Sequence, residues 1–281
     1  MSKKKILIAG GDMRQIYCAE RLSQIADVYL LGFENADIQP KIPEKGSCGY
    51  AILPISPPSS EGELSAPLSD KKLSAEDISP YLADNAVIFT GIKPEKTADF
   101  FPSATIFSYT EHEAFALKNA ISTAEGAIML ALEELPVTVS RLSVLIVGMG
   151  RIGTALVNIL KGFGADITVA VRNSRGRAKA ELLGVKWIST NKISGAYRLV
   201  FNTAPNLVFT GEVLGKFPEN TLFIELASKP YGFDFEKCGE LGRKIIIASG
   251  LPAKKAPVTA GYDLADTISD IVNERGNAYD R

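Results

Sequence analysis

The chain has 281 residues, of which 46% are hydrophobic, so it is longer than one ordinary domain and can bury more than one core. A formal net charge of −1 gives no reason to expect nucleic acid or an anionic membrane as the main partner. The N-terminal lysines lead directly into a short strand rather than a signal-type apolar run, and no run is long enough to span a bilayer, so we expect a cytoplasmic protein.

The first predicted unit is a strand, a glycine-containing turn and a helix, as in a Rossmann-type half. Counted from Gly10, the second and third glycine positions of a dinucleotide fingerprint hold Asp12 and Gln15, and a carboxylate there would repel a pyrophosphate. Another ligand is therefore implied. Arg14, in the first turn of the helix, would suit a small carboxylate. The alternative is that Arg14 pairs with Asp12 only to order the turn.

The middle of the chain predicts a loop and then a long helix. Residues 54–62 are rich in proline, serine and glycine, which is typical of the long loops that border the ligand cleft in doubly wound folds. A helix predicted from Ala114 to Leu135 joins the two halves of the chain. A last helix, from Ala260 to Glu274, is expected to pack back on the first half.

A glycine fingerprint follows a short apolar run of strand type and opens a helix with apolar residues at helical spacing. Its sequence is Gly148-Met149-Gly150-Arg151-Ile152-Gly153. Gly148 permits a tight turn, Gly150 lets the backbone approach a pyrophosphate, and Gly153 lets the helix pack closely on the strand. The phosphates then lie over the helix N-terminus, beside Arg151 and Ile152. This context predicts a dinucleotide site at these residues.

The next predicted strand ends in Arg172-Asn173-Ser174-Arg175-Gly176-Arg177 and lacks the acidic residue that NAD sites of this type place there. Such an acid holds the ribose 2′-hydroxyl, whereas a 2′-phosphate is met by arginine. Arg172, followed by Asn173, therefore favours NADP. A charged hydrogen bond of about 1.5–3 kcal/mol would give roughly tenfold or greater discrimination. The alternative is that these residues only solvate a loop and that NAD binds equally well.

Further predicted buried strands of the C-terminal half are each followed by a polar or glycine-rich turn. In an open parallel sheet the carboxyl ends of the strands line the ligand crevice. Asn202, Thr203 and Pro205 follow one such strand, and we predict that they border the ribose and nicotinamide of the cofactor. The alternative is an ordinary turn after a strand.

The three cysteines, Cys18, Cys48 and Cys238, are odd in number and widely separated. This pattern fits neither a disulfide framework nor paired metal ligands. We interpret them as packing residues and predict no metal site.

These elements predict an α/β fold with two Rossmann-like, doubly wound parallel-sheet domains joined by a long helix. The predicted substrate-side domain comprises residues 1–115 and the C-terminal helix, residues 260–281. The predicted NAD(P)-binding domain comprises residues 116–259 and includes the bridging helix.

The order of several motifs resembles the A subunits of the bacterial dipicolinate synthases, sporulation enzymes that make pyridine-2,6-dicarboxylate. The resemblance covers nearly the whole chain, and several motifs in one order are far more specific than any one of them. It rests on Gly10-Gly11-Asp12-Met13-Arg14-Gln15, Asn119 to Ile128, Gly148 to Gly153, Leu226-Ala227-Ser228-Lys229-Pro230 and Gly250 to Gly261. Two positions depart from the family pattern, which usually has glycine where Tyr231 and Ala253 stand.

The resemblance implies an NAD(P)-dependent oxidoreductase that forms dipicolinate. The substrate would be a dihydrodipicolinate-level precursor, or 4-hydroxytetrahydrodipicolinate with loss of water, and the acceptor NADP, with NAD as the other option. The resemblance also implies a flavoprotein-like partner, the B subunit of dipicolinate synthase, and the mother-cell cytoplasm during sporulation. A homo-oligomer is left open.

A small dicarboxylate substrate requires cationic groups that bracket its two carboxylates. Arg14, Lys229 and either Lys254 or Lys255 are the candidates, because each follows a strand end that would face the cleft. Thr123 is a further candidate for substrate binding through a hydrogen bond to the ligand or to the nicotinamide amide.

Few residues of the sequence are candidates for the catalytic acid or base. Glu125 lies in a segment that matches the family, and we predict Glu125 and Lys229 as catalytic residues. The alternative for Glu125 is a carboxylate on a helix face without a catalytic role. His112, the only histidine, would titrate suitably. We interpret it as a solvated surface residue and assign it no role.

Two other functions stay open. The first is an NADP-dependent dehydrogenase of another small carboxylic acid. That class commonly needs a histidine with a carboxylate partner in the cofactor half, and the C-terminal half has no histidine. The second is a non-catalytic nucleotide-binding regulatory protein. Hydride exchange by the isolated chain would argue against the second.

Overall fold

The computed structural model describes residues 3–36, 38 and 41–279, so the ends of the predicted first domain, residues 1–2 and 280–281, lie outside the described residues. The strands are β1 (Lys5–Ala9), β2 (Asp27–Leu31), β3 (Cys48–Ile52), β4 (Glu63–Leu64), β5 (Leu73–Ser74), β6 (Leu82–Thr90), β7 (Thr105–Ser108), β8 (Ser143–Val147), β9 (Asp166–Val171), β10 (Lys186–Ser189), β11 (Leu199–Asn202), β12 (Leu222–Glu225) and β13 (Ile245–Ile247). The helices are α1 (Met13–Leu22), α2 (Ala75–Ile78), α3 (Pro94–Ala98), α4 (Glu113–Glu134), α5 (Arg151–Gly162), α6 (Ser174–Leu182), α7 (Gly211–Leu214), α8 (Phe235–Glu240), α9 (Leu251–Lys255) and α10 (Pro257–Tyr279).

The chain divides into two compact units. The first comprises Met1–Asn119 and Ala256–Arg281, and the second comprises Ala120–Lys255. The boundaries lie near residues 119 and 255, compared with the predicted boundaries after residues 115 and 259. The long helix α4 begins in the first unit and continues into the second.

The first unit contains a parallel five-stranded sheet in the order β2-β1-β3-β6-β7. Strand β1 shows why the sheet forms: its alternate residues pack into two different cores, Ile6 and Ile8 on one face, Leu7 and Ala9 on the other. A strand that is buried on both faces reads as a continuous apolar run, which is typical of parallel sheets. The strand order reverses between β1 and β3, and this switch point is where open α/β sheets bind ligands.

The last helix, α10, packs against α1 in the first unit, as predicted. The contact depends on Gly261, since a Cβ built there would lie 2.5 Å from the Arg14 carbonyl oxygen and 2.6 Å from Tyr17 Cβ. Only a residue without a side chain allows the two helix backbones this approach. The helix that carries Arg14 is therefore held by the other end of the chain.

The second unit contains a parallel six-stranded sheet in the order β10-β9-β8-β11-β12-β13. This is the strand order of the doubly wound dinucleotide-binding fold, with its switch point between β8 and β11. The side chains of β8 alternate between two cores, one containing Val144 and Ile146, the other Leu145 and Val147. The predicted fold of two Rossmann-like α/β domains is confirmed.

The three cysteines are free and buried, which agrees with their interpretation as packing residues. Within the described residues, no helix has the length and apolar character needed to cross a membrane.

Candidate functional site

The glycine fingerprint forms the turn between β8 and α5. Gly148 has a φ of +98°, and a Cβ built on it would lie 2.5 Å from the Thr203 hydroxyl oxygen. A Cβ on Gly153, in the first turn of α5, would lie 2.1 Å from the Gly148 carbonyl oxygen. Both positions therefore require glycine, the first for its backbone conformation and the second for the close approach of helix to strand.

Gly150 differs from its two neighbours in the fingerprint. It is exposed, and no atom lies within 4 Å of a Cβ built on it, so it faces open space. It is also the N-cap of α5, and no side chain caps the helix there. A helix N-terminus that opens into free space suits a phosphate group, because its N–H groups and dipole favour negative charge. The turn thus fits the pyrophosphate of a dinucleotide.

Thr203 ties the end of β11 to the end of β8. Its hydroxyl donates to the Val147 carbonyl oxygen at 2.8 Å, and its backbone N–H donates to the same oxygen at 2.9 Å. Pro205, two residues on, is exposed. Thr203 therefore connects the ends of β8 and β11 through two hydrogen bonds. The predicted contact of Thr203 and Pro205 with the cofactor stays a prediction.

Asn202, also predicted to border the cofactor, is fully buried, with 0% of its surface exposed. Its amide donates to the Ala204 carbonyl oxygen at 3.0 Å and to both carboxylate oxygens of Glu225, at 2.8 and 2.9 Å. The side chain is thus used within the protein. Its observed role is to shape the turn that follows β11, and a direct cofactor contact stays a prediction.

Glu225 was not singled out from the sequence. It ends β12, is 1% exposed, and also accepts hydrogen bonds from the backbone N–H groups of Ala227 at 2.8 Å and Gly232 at 2.7 Å. Burial raises the pKa of this carboxyl group above its usual value, although the four hydrogen bonds oppose the rise. The available signal was one acidic residue within the apolar run of β12.

The segment after β12 carries Lys229, a predicted catalytic residue. Lys229 is exposed, and its side chain has no hydrogen bond or ion pair with any described residue. Tyr231 adopts a φ of +68°, in the left-handed region that favours glycine. The glycine that the resemblance implies at this position would suit the same backbone conformation, which this chain adopts with a tyrosine.

The end of β9 exposes the predicted NADP-recognition residues. Arg172 is exposed and forms no side-chain ion pair or hydrogen bond within the described chain. Arg177, by contrast, donates to Glu181 at 2.8 Å and lies 4.9 Å from the centre of the Trp187 ring. Arg172 is thus available to a ligand, whereas Arg177 already has protein partners.

Asn173 caps the next helix. Its side-chain oxygen accepts a hydrogen bond from the Gly176 N–H at 2.9 Å, which satisfies one of the free N–H groups at the start of α6. The cap is the observed role of this residue. Its predicted contact with the cofactor stays a prediction.

In the first unit, Asp12 and Arg14 form a pair at the switch point. Arg14 donates from Nε to one carboxylate oxygen of Asp12 at 2.9 Å and from Nη2 to the other at 2.7 Å. Burial alone would raise the pKa of Asp12, but the hydrogen bonds and charge of Arg14 outweigh it and lower that pKa below its usual value. The pairing of Arg14 with Asp12 is thus observed, and the predicted binding of a carboxylate by Arg14 stays a prediction.

The pair leaves part of Arg14 for a ligand. Its third nitrogen, Nη1, makes no hydrogen bond within the described residues. Asp12 also caps α1 by accepting from the Arg14 backbone N–H at 3.0 Å, and Gln15 accepts from the Asp12 N–H at 2.9 Å. A half-buried, preorganised guanidinium at a sheet switch point is suited to binding a carboxylate.

The remaining predicted site residues lie in the second unit, and the structure separates them by exposure. On α4, Thr123 is buried. Glu125, on the same helix, is exposed, and the Glu125 side chain forms no hydrogen bond or ion pair within the described residues. On α9, Lys254 is exposed, and the Lys255 Nζ lies 3.5 Å from the Glu133 Oε1. Glu125 and Lys254 are thus free to meet a ligand, whereas Lys255 already has a carboxylate near it.

His112 differs from its interpretation as a solvated surface residue. It is only partly exposed, and its Nδ1 is buried without a hydrogen-bond partner in the described part of the chain. Buried polar atoms normally have a partner in the protein, in water or in a ligand. No cluster of three or more His, Cys, Asp or Glu residues suited to a metal ion occurs among the described residues.

Comparison with known proteins follows the division into two units. Residues 5–109 match the family model described as the N-terminal domain of the dipicolinate synthase A subunit. Residues 119–227 match the model of the D-isomer specific 2-hydroxyacid dehydrogenase, NAD binding domain. The second match covers the fingerprint turn, so the cofactor of the second unit is a nicotinamide dinucleotide and the chain is dehydrogenase-like.

Full-length relatives agree with both matches. The dipicolinate synthase A subunit of Bacillus subtilis (strain 168) is 30% identical over 285 residues, which is 96% of each chain. The crystal structure of the dipicolinate synthase A subunit from Bacillus halodurans has a TM-score of 0.86 at 29% identity and covers 96% of this chain and 98% of that one. The corresponding Bacillus subtilis structure has a TM-score of 0.84 at 30% identity, over 98% and 97%. Together these matches establish that the chain belongs to the family of dipicolinate synthase A subunits.

Proposed function

We propose that this chain is the NADP-dependent oxidoreductase component of a dipicolinate synthase. The observation that carries the proposal is the uncapped N-terminus of α5, where Gly150 faces open space at the switch point of a dinucleotide-binding sheet. Family membership supports the substrate class, a small dicarboxylate at the oxidation level of dihydrodipicolinate or its 4-hydroxytetrahydro precursor.

The proposed reaction balances simply. Loss of the 4-hydroxyl group and one hydrogen as water from 4-hydroxytetrahydrodipicolinate gives the dihydro compound. Removal of a hydride and a proton from the dihydro compound then gives the aromatic pyridine ring. Oxidised nicotinamide, when bound, accepts the hydride. Aromaticity of the product drives the reaction forward.

The chain must hold two carboxylates and take up a proton. In the first unit, the proposed ligand of a carboxylate is Arg14, whose Nη1 has no partner within the described residues. In the second unit, the proposed cationic groups are the exposed Lys229 and Lys254. Lys255 and Thr123 are secondary candidates. Glu125 is the proposed base, because it is exposed and forms no ion pair within the described chain.

The preference for NADP rests on Arg172. This arginine follows β9, is exposed and has no partner among the described residues. An acid at the same position would repel the 2′-phosphate. Arg172→Glu should weaken NADPH binding about tenfold or more and NADH binding far less, as measured by fluorescence titration. Lys192→Glu, an exposed change of the same charge in the same unit, is the control. Equal losses for both nucleotides would reject this assignment.

The partner is proposed to be a flavoprotein-like second subunit. The test is ultraviolet detection of dipicolinate after mixing freshly generated 4-hydroxytetrahydrodipicolinate and NADP with this chain, with and without that partner. Product formed only with both proteins would support the two-subunit enzyme. Product from this chain alone would place all of the chemistry here and would remove the need for the partner.

A dehydrogenase of another small carboxylic acid is the second candidate. It is favoured by the match of residues 119–227 to the 2-hydroxyacid dehydrogenase NAD-binding domain. No dipicolinate under either condition, with verified substrate and a folded partner, would favour it. Absence of hydride exchange with any carboxylic acid would instead favour a non-catalytic nucleotide-binding protein.

A further inference from the structure

A buried carboxylate connects two segments that follow neighbouring strands of the second unit. Glu225 ends β12 and is 1% exposed, and Asn202 ends β11 directly beside it in register. Both carboxylate oxygens of Glu225 accept from the Asn202 amide, at 2.8 and 2.9 Å. The contact joins residues 23 positions apart in the sequence.

The same carboxylate anchors the segment that carries Lys229. One oxygen accepts from the Ala227 N–H at 2.8 Å and the other from the Gly232 N–H at 2.7 Å. These two residues flank the exposed turn at Lys229. The Gly232 carbonyl in turn accepts from the N–H groups of residues 208 and 209, at 2.9 and 2.8 Å, so that end of the segment is tied at two places.

Every observed partner of the Glu225 side chain is a donor. A carboxylate can accept all four hydrogen bonds, whereas a carboxamide must present an NH₂ group to at least one N–H group in either orientation. The site is also closed to any larger residue at position 232, since a Cβ built on Gly232 would lie 2.3 Å from the Asn202 Nδ2. The arrangement therefore specifies a carboxylate, an amide and a glycine together.

We propose that Glu225 is a positioning residue for the reaction: it holds the Lys229 segment at a fixed place beside the turn that follows β11. The proposal rests on the function proposed above, because it assigns Lys229 to the substrate. Glu225 itself touches neither the fingerprint turn nor Arg172 among its observed contacts.

The test compares Glu225→Gln with a matched control. Thr221 is the buried residue that precedes β12, and Thr221→Val removes the hydrogen bond of 2.7 Å from its hydroxyl to the Tyr197 carbonyl oxygen. For Glu225→Gln, kcat/KM for dipicolinate formation should fall roughly 10- to 100-fold, because displacement of a substrate-binding group by about 1 Å has effects of this size. NADPH affinity should change less than about threefold, because the fingerprint turn is untouched. Thr221→Val should lower only the melting temperature.

A second measurement does not depend on activity. Amide hydrogen exchange should become faster in residues 226–232 of Glu225→Gln and stay unchanged there in Thr221→Val. Gly232→Ala reaches the same segment by another route and should show the same exchange and kinetic changes if Glu225→Gln fails to fold. If the wild-type chain forms no product either alone or with the proposed partner subunit, the proposed function is overturned, and the exchange data then decide the positioning of the segment.

Two results would overturn the inference. One is unchanged exchange in residues 226–232 of a folded Glu225→Gln protein. The other is a Glu225→Gln protein that keeps the wild-type kcat/KM and loses only thermal stability, as is expected of the Thr221→Val control. Either result would make Glu225 a residue of purely structural importance.

Discussion

Single residues of the fingerprint turn separate folding from binding. A Cβ on Gly153 would lie 2.1 Å from a backbone oxygen, whereas a Cβ on Gly150 would meet no atom within 4 Å. Two glycines three positions apart are thus required for different reasons. Gly153 is required by the packing of α5 on β8, and Gly150 is available to the ligand.

This difference gives a paired prediction. Gly153→Ala should destabilise the protein by about 1–3 kcal/mol through overpacking. Gly150→Ala should cost less than about 1 kcal/mol of stability, yet weaken NADPH binding about tenfold or more because its methyl group occupies the space of the pyrophosphate. Thermal melts and NADPH titrations check both. A Gly150→Ala protein with wild-type affinity would place the pyrophosphate elsewhere.

Asp12 gives a prediction for pH. Its folded-state pKa is lowered below the ordinary value of 3.8, so its carboxylate contributes stability above about pH 4, and that contribution is lost as the pH falls through the folded-state pKa. Asp12→Asn keeps an acceptor for the helix cap but loses the charge that faces Arg14. At pH 7, the free energy of unfolding of the wild-type protein, measured in urea, should be about 1 kcal/mol higher than that of this variant. A gap that stays constant down to about pH 3 would contradict this assignment.

At the scale of elements, the contact between α1 and α10 decides where Arg14 lies. Gly261 allows the two helices to approach closely, since a Cβ built at this position would lie 2.5 Å from the Arg14 carbonyl oxygen. The two helices are far apart in the sequence, at Met13–Leu22 and Pro257–Tyr279. Because they pack together, the position of the N-terminal turn depends on the C-terminal helix. Helix packing thus links the stability of the chain end to the geometry of the proposed carboxylate site.

Gly261→Ala tests this link. The added methyl group would force α10 away from α1 and should lower the free energy of unfolding by about 1–3 kcal/mol. Gly49→Ala in β3 is the control, since a Cβ there meets no atom within 4 Å, and it should change stability by less than about 1 kcal/mol. Urea unfolding measures both. Equal stabilities of the two variants would show that α10 can shift without cost.

At the scale of the whole molecule, the two units are predicted to divide the work. The second unit has the 3-2-1-4-5-6 type of strand order and the open helix N-terminus of a dinucleotide site. The first unit has a capped turn that contains a carboxylate, Asp12, and thus excludes a pyrophosphate there. Dinucleotide binding is therefore assigned to the second unit, and the proposed carboxylate contact of Arg14 to the first.

Arg14→Ala tests this division. The change should raise the KM for the dicarboxylate substrate about tenfold or more, because one charged hydrogen-bonding partner is lost, and should leave the Kd for NADPH nearly unchanged. Steady-state kinetics and a nucleotide titration on the same preparation measure the two effects. A loss of nucleotide affinity instead would assign the N-terminal turn to the cofactor.

Local sequence was sufficient for the fingerprint turn and the continuous apolar strands, because each depends on residues a few positions apart. It was not sufficient for Glu225, whose partner Asn202 is 23 positions away and meets it only because β11 and β12 are neighbours in the sheet. It also left open whether Arg14 pairs with Asp12, since a spacing of two residues permits the contact without requiring it.

The amino-acid sequence by itself determined the fold class, because glycine spacing and apolar periodicity are properties of the chain. The order of several motifs indicated the family by resemblance, and the glycine fingerprint predicted the place of the dinucleotide site. Only the tertiary structure decided which polar groups are buried and which are free. Asn202 and Asn173 are used as internal hydrogen-bond partners, whereas Arg172, Lys229 and Glu125 are exposed. The physical reason is that a buried polar group must find a partner, and the packing of strands and helices decides which partner is within reach.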